Sequence, residues 1–267
     1  MLCDKLKSRY KKECVYMKIM SFNVLCAGRD GREWENRIPR VVAAIKAADP
    51  DSLGVQEAHL GWMNALRENL PEYDFVGVGR DDGKEEGEFS AVFYKKDKFT
   101  PGEKGNFWLS ETPDVPGYGW DAACIRICSY VMLTEKETGK KFCHFNTHLD
   151  HVGLVAMQKG AELVAIKANE ICTDCPAVFT GDFNVTPESA PCKAVKDGGF
   201  ADARDVAEIT DKDITFHAWL GEEKYRSVID YVFVKGDVKV KKFTVDRSEY
   251  LGDVPSDHYP VIADIEF

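Results

Sequence analysis

The side chains able to do chemistry occur as short polar clusters between apolar runs: Asn23, Glu57, Asn146 with His148, Asp182 with Asn184, Asp230, and Asp257 with His258. Carboxylates and amide oxygens are hard ligands. With few cysteines or histidines among them, they suit Mg²⁺ or Mn²⁺ rather than zinc. Glu57 is the leading candidate for direct metal ligation, with Asn23 and Asp257 close behind. Hydrolysis of a phosphate ester needs an aligned water, a group that deprotonates it, and charge stabilisation on the phosphoryl oxygens. Asp182 suits the water and Asn184 its orientation, while His148 and His258 suit donation to phosphate oxygens or to a leaving group. Asp230 suits an imidazole that must be held in one tautomer. Arg126 offers a guanidinium fork to a phosphate oxygen, whereas Arg37 reads as part of a solvated helix face.

The elements around these residues place nearly all of them at strand ends. Lys18 to Asn23 reads as a strand stopping at Asn23, and Ser52 to Gln56 as a short buried strand leading into Glu57. Between them Trp34, Ile38, Val41, Val42 and Ile45 recur at helical spacing up to Asp49-Pro50. Leu60, Met63, Leu66 and Leu70 predict a second helix, and Leu154 to Asn169 a third with Leu163 and Ile166 on its apolar side. Ile125 to Leu133 and Lys141 to Asn146 predict a hairpin, and residues 100 to 121 a surface loop. Ala177 to Thr180 opens into Asp182 and Asn184, and Asp230 lies within the strand Val228 to Val234. Strands alternate with helices early and form hairpins late. That order favours a mixed sheet pair flanked by helices over a purely parallel fold.

Six motifs in order, Ser21-Phe22-Asn23, Gln56-Glu57, Asn146-Thr147-His148-Leu149, Gly181-Asp182-Phe183-Asn184, Ile229-Asp230-Tyr231 and Ser256-Asp257-His258-Tyr259-Pro260, resemble the motif set of the endonuclease/exonuclease/phosphatase superfamily. The resemblance runs from about Met20 to Phe267. It implies an α/β fold: a four-layer α/β sandwich of two packed mixed β-sheets flanked by helices, DNase I-like, with the site at one sheet edge. It also implies that Glu57 binds metal, that Asp182 and Asn184 handle the nucleophile, that Asp230 supports His258, and that Asn146 and His148 bind phosphate. Leu25 stands where abasic-site nucleases carry an acidic residue, and Tyr225 to Asp230 departs from the inositol-polyphosphate phosphatase pattern. The segments Gly79–Gly83, Gly87–Ser90 and Leu109–Asp114 resemble a largely uncharacterised bacterial branch.

A net charge of −10 argues against tight, non-specific binding of long DNA but admits a small phosphorylated molecule or an oligonucleotide as substrate. The reading is therefore a metal-dependent phosphoesterase, with a diester ahead of a monoester; a catalytically silent phosphate-binding module or a nuclease are the alternatives. Nine cysteines without framework spacing, no visible export signal and no bilayer-spanning apolar run point to a reduced, cytoplasmic protein without a membrane partner. Residues 1–16 read as an extension and 17–267 as one domain. Asp150 and His151 extend the Asn-Thr-His motif towards substrate or a second metal, and Trp108, Tyr118 and Trp120 are candidate pocket walls. Cys172 and Cys175 lack the second pair that a zinc site requires, and Asp81 to Glu88 reads as a solvated acidic loop.

Overall fold

The structure, a computed structural model, describes residues 16–28 and 31–267. Of the expected N-terminal extension only Tyr16 falls among them, and it begins the first strand. In chain order the strands are β1 (Tyr16–Asn23), β2 (Ser52–Ala58), β3 (Tyr73–Val76), β4 (Phe89–Lys95), β5 (Phe99–Trp108), β6 (Ile127–Glu135), β7 (Lys141–His148), β8 (Ala177–Asp182), β9 (Ala201–Asp202), β10 (Ile209–Thr210), β11 (Asp230–Lys235), β12 (Lys239–Val245) and β13 (Val261–Glu266). The helices are α1 (Trp34–Ala48), α2 (Leu60–Asn69), α3 (Leu154–Ile171), α4 (Ala190–Asp197) and the single turn α5 (Ala203–Val206). One sheet has the order β10-β12-β13-β1-β2-β4-β3, the other β5-β6-β7-β8-β11-β9. Both are mixed, because β1 pairs parallel with β2, and β7 with β8, among antiparallel neighbours.

Alternation along the strands builds the layers. Ile19 of β1 faces the second sheet with Val92, Val131, Phe142, Val178 and Val261, whereas Met20 faces outward under the helices. Val41 and Ile45 of α1 and Trp62 and Leu66 of α2 pack there with Leu53 and Val55. On the other side α3 lays Ala161, Val164, Ala165 and Ala168 over Phe145, Phe179 and Phe233. The result is helix, sheet, sheet, helix, as the resemblance implies. α1 stops where Asp49 takes the left-handed φ of 49° ahead of Pro50.

Three local expectations change. Residues 99–108 form β5 rather than loop, an edge strand that accommodates Pro101 at a register shift and shows little buried alternation. Ile166 lies on the exposed flank of α3, because alanines and Gly160 form the face that sits against the sheet. The short helix α4 was not foreseen; Ser189 at its N-cap and Pro191 in its first turn are its start signals.

Between the sheets the apolar packing is interrupted by a polar layer. The Asn146 amide nitrogen donates to the carbonyls of Val55 (2.9 Å) and Ala91 (3.0 Å), and its oxygen accepts from Gln56 (2.7 Å) and Thr180 (2.9 Å). His144 lies 2.7 Å from Ser52 Oγ and 2.8 Å from Thr180 Oγ1. Gly54 makes room for this layer: a Cβ there would come within 2.1 Å of Thr180 Oγ1 and 2.4 Å of Asn146 Oδ1. Every one of these groups is fully buried, so the layer has to satisfy itself, and it does so except at Gln56 Oε1, which has no partner.

Burial holds the His144 imidazole down at about 3, against 6.5 for an exposed histidine. The folded chain keeps it neutral, while the unfolded chain takes up a proton below pH 6.5. The stability that His144 contributes is therefore present above pH 6.5 and is lost as pH falls towards 3. Urea unfolding measured between about pH 6.5 and 4.5 should lose free energy more steeply in the wild type than in His144→Gln. Equal slopes would count against this account.

Candidate active site

Register brings the polar clusters together. Asp182, the last residue of β8, is paired with His148 of β7 on one side and Asp230 of β11 on the other. In the facing sheet β1 ends at Asn23, opposite Gln56 of β2. β2 then bulges between Val55 and Ala58, and Glu57 at the bulge has a left-handed φ of 60°. Asn184, just past β8, has φ 56°. Left-handed backbone is uncommon outside glycine, and here it occurs at two residues that must turn out of a strand into the same space.

Asp182 is the centre of that space. Its Oδ2 accepts from Asn23 Nδ2 at 2.9 Å and its Oδ1 from the Asn184 backbone N–H at 2.9 Å. The same oxygen Oδ2 lies 3.5 Å from His148 Nε2 and 3.7 Å from His258 Nε2. His258 Nδ1 in turn meets both Asp230 oxygens, at 2.9 and 3.1 Å. Glu57 accepts from Asn23 Nδ2 (3.0 Å) and from the Cys26 backbone N–H (3.0 Å). Glu57, His148, Asp182, Asn184 and His258 open into a cleft of about 340 Å³ that is also lined by Arg80, Glu88, Cys124, Arg126, His151, Phe216, Ile229 and Asp257, while Asn23 and Asp230 support them from outside its lining.

Burial and neighbouring charge set the protonation states. Burial and the Asp230 charge raise Asp182 to about 7, against the pull of His258 and the Asn184 N–H. Burial pulls His258 down, but Asp230 and then Asp182 more than offset it and raise the imidazole to about 10. His148 is held well below its ordinary range by burial and by Arg126 and Arg80. Burial raises Glu57, yet the Cys26 N–H and the Asn23 amide outweigh it and keep the carboxyl below its usual range. Asn184 Nδ2 lies 3.0 Å from both His148 Nε2 and the Leu149 carbonyl, and so donates to both. The neutral His148 ring then carries its proton on Nδ1, which is buried and without a partner.

The donor set suits a hard divalent cation. Glu57, Asp182, Asp230 and Asp257 surround one imidazolium, and Asp257 is raised by burial and by Glu57 despite the pull of His258. That excess of negative charge is what a cation would relieve. Oxygen and nitrogen atoms of Glu57, His148 and Asp182 lie within 4.8 Å of one another, as do those of Asp182, Asp230 and His258. Cys124, Asp150 and His151 make a similar cluster, but the Asp150 oxygens already accept from the backbone N–H groups of Ala123, Cys124, Val152 and Gly153. Asp150 therefore ties down the loop before β6 rather than touching the cleft.

Two candidates take other positions. Asn146 precedes His148 by one pleat on the same face of β7, which puts it about 7 Å deeper, inside the polar layer between the sheets. Its four hydrogen bonds to the protein remove it from the phosphate contact expected of it. Asn23 bridges Glu57 and Asp182 through its nitrogen while its oxygen accepts from the Leu25 N–H, so it positions carboxylates rather than offering a ligand oxygen. Arg37 is not solvated: it is fully buried and donates to the carbonyls of Val24, Leu25, Ala27, Arg32 and Pro255. Arg126 does line the cleft, 5% exposed, with Nε and Nη1 lacking hydrogen-bond partners. Trp108 donates to the Arg80 carbonyl at 2.7 Å instead of walling the pocket, and Tyr118 and Trp120 are absent from its lining. Arg80, Glu88, Cys124 and Phe216 were missed, since neither periodicity nor residue type separates them from ordinary loop residues, and Ile229 stood only as the neighbour of Asp230 in its motif. The branch-like segments at 79–83 and 87–90 were the one signal that flagged the first two.

The model of the Endonuclease/Exonuclease/phosphatase family matches residues 20–258. The chain belongs to that family. A Bacteroides thetaiotaomicron protein of the endonuclease/exonuclease/phosphatase family is 38% identical, with TM-score 0.90 over 96% of this chain and 99% of its own. The mannosyl-6-phosphatase of Bacteroides thetaiotaomicron VPI-5482 is also 38% identical, with TM-score 0.89 over 94% of this chain and all of its own (100%). An uncharacterised protein of Acanthamoeba polyphaga mimivirus is 26% identical over 92% of this chain and 98% of its own. As an endonuclease/exonuclease/phosphatase enzyme the chain is a hydrolase of phosphate ester bonds. Among the described residues no helix is long and apolar enough to cross a membrane.

The His258–Asp230 contact makes a spectroscopic prediction. In wild-type protein His258 should stay protonated through neutral pH, with loss of its proton near 10. Asp230→Asn removes the largest raising influence, so long-range ¹⁵N–¹H spectra should show the imidazole titrating lower by at least about one unit. An unshifted titration would disprove the coupling.

Proposed function

We infer that this cleft hydrolyses the phosphate monoester of a small hydroxylated molecule, a sugar phosphate, with Mg²⁺ or Mn²⁺ bound at Glu57 and Asp257. The observation that carries the reading is the buried Asp182 carboxylate, placed between a neutral and a charged imidazole beside Glu57. The sequence alone favoured a diester. The 38% identity to a mannosyl-6-phosphatase moves the proposal to a monoester. A silent binding module is disfavoured, because the proton acceptor, both imidazoles and the acidic cluster are all present together.

In this reading Asp182, raised to about 7, takes a proton from the attacking water near the pH at which a base is most effective. Asn184 has both amide N–H groups engaged by His148 and Leu149, so it would steer that water through its Oδ1. His148, His258 and Arg126, which all line the cleft, hold the phosphoryl group, with the charged His258 and Arg126 answering the charge that builds on its oxygens. A cation at Glu57 and Asp257 would supply Lewis-acid stabilisation of the same charge. Asn23 keeps Glu57 and Asp182 in register with each other.

The test is hydrolysis of a panel of hexose 6-phosphates, nucleoside monophosphates and bis-p-nitrophenyl phosphate with Mg²⁺ or Mn²⁺. Activity should concentrate on the monoesters, vanish with EDTA and return with metal. Asp182→Asn, which keeps the shape and removes the base, should lower kcat by about 10²–10⁴-fold. Turnover that survives chelation, or an Asp182→Asn protein as active as wild type, would refute the proposal.

A further inference from the structure

Arg80, Glu88 and Phe216 line the cleft but have no part in the chemistry above. The Arg80 guanidinium forks onto Glu88, with Nη1 to Oε2 at 2.6 Å and Nη2 to Oε1 at 3.2 Å. The pair is held in place from behind. The Arg80 N–H donates to the Glu88 carbonyl at 3.1 Å, the Arg80 carbonyl accepts from Trp108 Nε1, and Asp82 caps the turn between them through the N–H groups of Lys84 and Glu86. The segment Asp81 to Glu88, expected to be a solvated acidic loop, thus presents Glu88 and the preceding Arg80 to the cleft, with side chains only 21% and 15% exposed.

The hydrogen-bonding capacity left on this pair is specific. Each terminal nitrogen of Arg80 has given one N–H to Glu88 and keeps a second. Each Glu88 oxygen accepts once from Arg80 and the carboxylate also meets the Cys26 thiol, which leaves it one of its four acceptor sites. Adjoining donors and acceptors match hydroxyl groups, which both donate and accept. The pair is also neutral overall, so a second phosphate there would meet the Glu88 charge. Arg126 differs: its nearest carboxylate, Asp150, is 3.7 Å from Nε, beyond hydrogen-bond reach, which leaves it for an anion. Phe216 packs on His258 at 4.8 Å between ring centroids and offers the cleft an apolar ring suited to the C–H face of a sugar.

We propose that Arg80 and Glu88, with Phe216, form the subsite that reads the hydroxyl groups of the leaving group, a hexose or similar polyol carrying the phosphate. This rests on the monoesterase reading above and adds the residues that select the alcohol. Arg126, His148 and His258 hold the phosphoryl group, and the Arg80–Glu88 fork holds neighbouring hydroxyls of the sugar.

The test compares kcat/KM for a hexose 6-phosphate with that for p-nitrophenyl phosphate, a monoester without hydroxyls on its leaving group. Wild type should favour the hexose ester after allowance for the better leaving group, judged against ethyl phosphate. Glu88→Gln, nearly isosteric, should lower the hexose-to-p-nitrophenyl ratio about tenfold or more, chiefly through KM. Arg80→Lys, which keeps the charge and loses the fork, should do the same, and thermal melts identify which variants are folded. A ratio unchanged within about twofold in a folded variant overturns the subsite, as does a wild type that turns over ethyl phosphate as well as hexose 6-phosphate. Wild-type protein that cleaves no phosphate ester overturns the function beneath it as well.

Discussion

The hydrogen bond from Asn23 Nδ2 to Asp182 Oδ2 crosses from one sheet to the other at the seam where both sheets end. The rest of the site depends on it. Asn23 belongs to β1 and Asp182 to β8, and the same amide nitrogen also holds Glu57. A carboxylate as buried as Asp182 is costly unless its charge is answered. Here it is answered by an amide, a backbone N–H and an imidazolium that is itself fixed by Asp230. The arrangement leaves Asp182 near 7, poised to accept a proton, and His258 charged.

Such a seam works only if the two sheets cannot slide. Apolar side chains alone would pack the interior without fixing register, whereas a buried polar layer tolerates few alternatives, since a slip would orphan several groups at once. Asn146, Gln56, Thr180, His144 and Ser52 form that layer directly beneath the site, and Gly54 exists there because no side chain fits. From the other direction Arg37 gathers the carbonyls of the segment after β1 and reaches Pro255, just before Asp257. The left-handed turns at Leu25, Glu57 and Asn184 are held within this frame.

The cleft divides its charge. Acidic groups and the charged imidazole gather at the strand ends, while Arg126 and the Arg80–Glu88 pair stand on segments before β6 and β4. Net negative charge of the chain as a whole therefore says little about the site, where a guanidinium nine-tenths buried faces an acidic cluster able to hold a cation. In the proposed reading, substrate selection falls to loops, and reaction chemistry to strand ends whose geometry the sheets enforce.

By itself the sequence determined which residues are chemically competent and the order of strands and helices. Short polar clusters at strand ends and six ordered motifs are local features, and a strand that stops at a polar residue can be read without knowing its partners. Asp182, Asn184, Glu57, His148, Asp257 and His258 were all legible in this way and meet in one cleft, with Asp230 behind His258, and Arg126, read from its guanidinium alone, joins them. Depth was not legible. Asn146 and His148 are two residues apart with the same alternation, and only the facing sheet decides that one lies in the interior and the other at the edge. The direction of Asn23's amide, the burial of Arg37 and the pairing of Arg80 with Glu88 likewise depend on groups distant in sequence. Hydrogen-bond partners and exposure are properties of packing, and so only the tertiary structure could assign them.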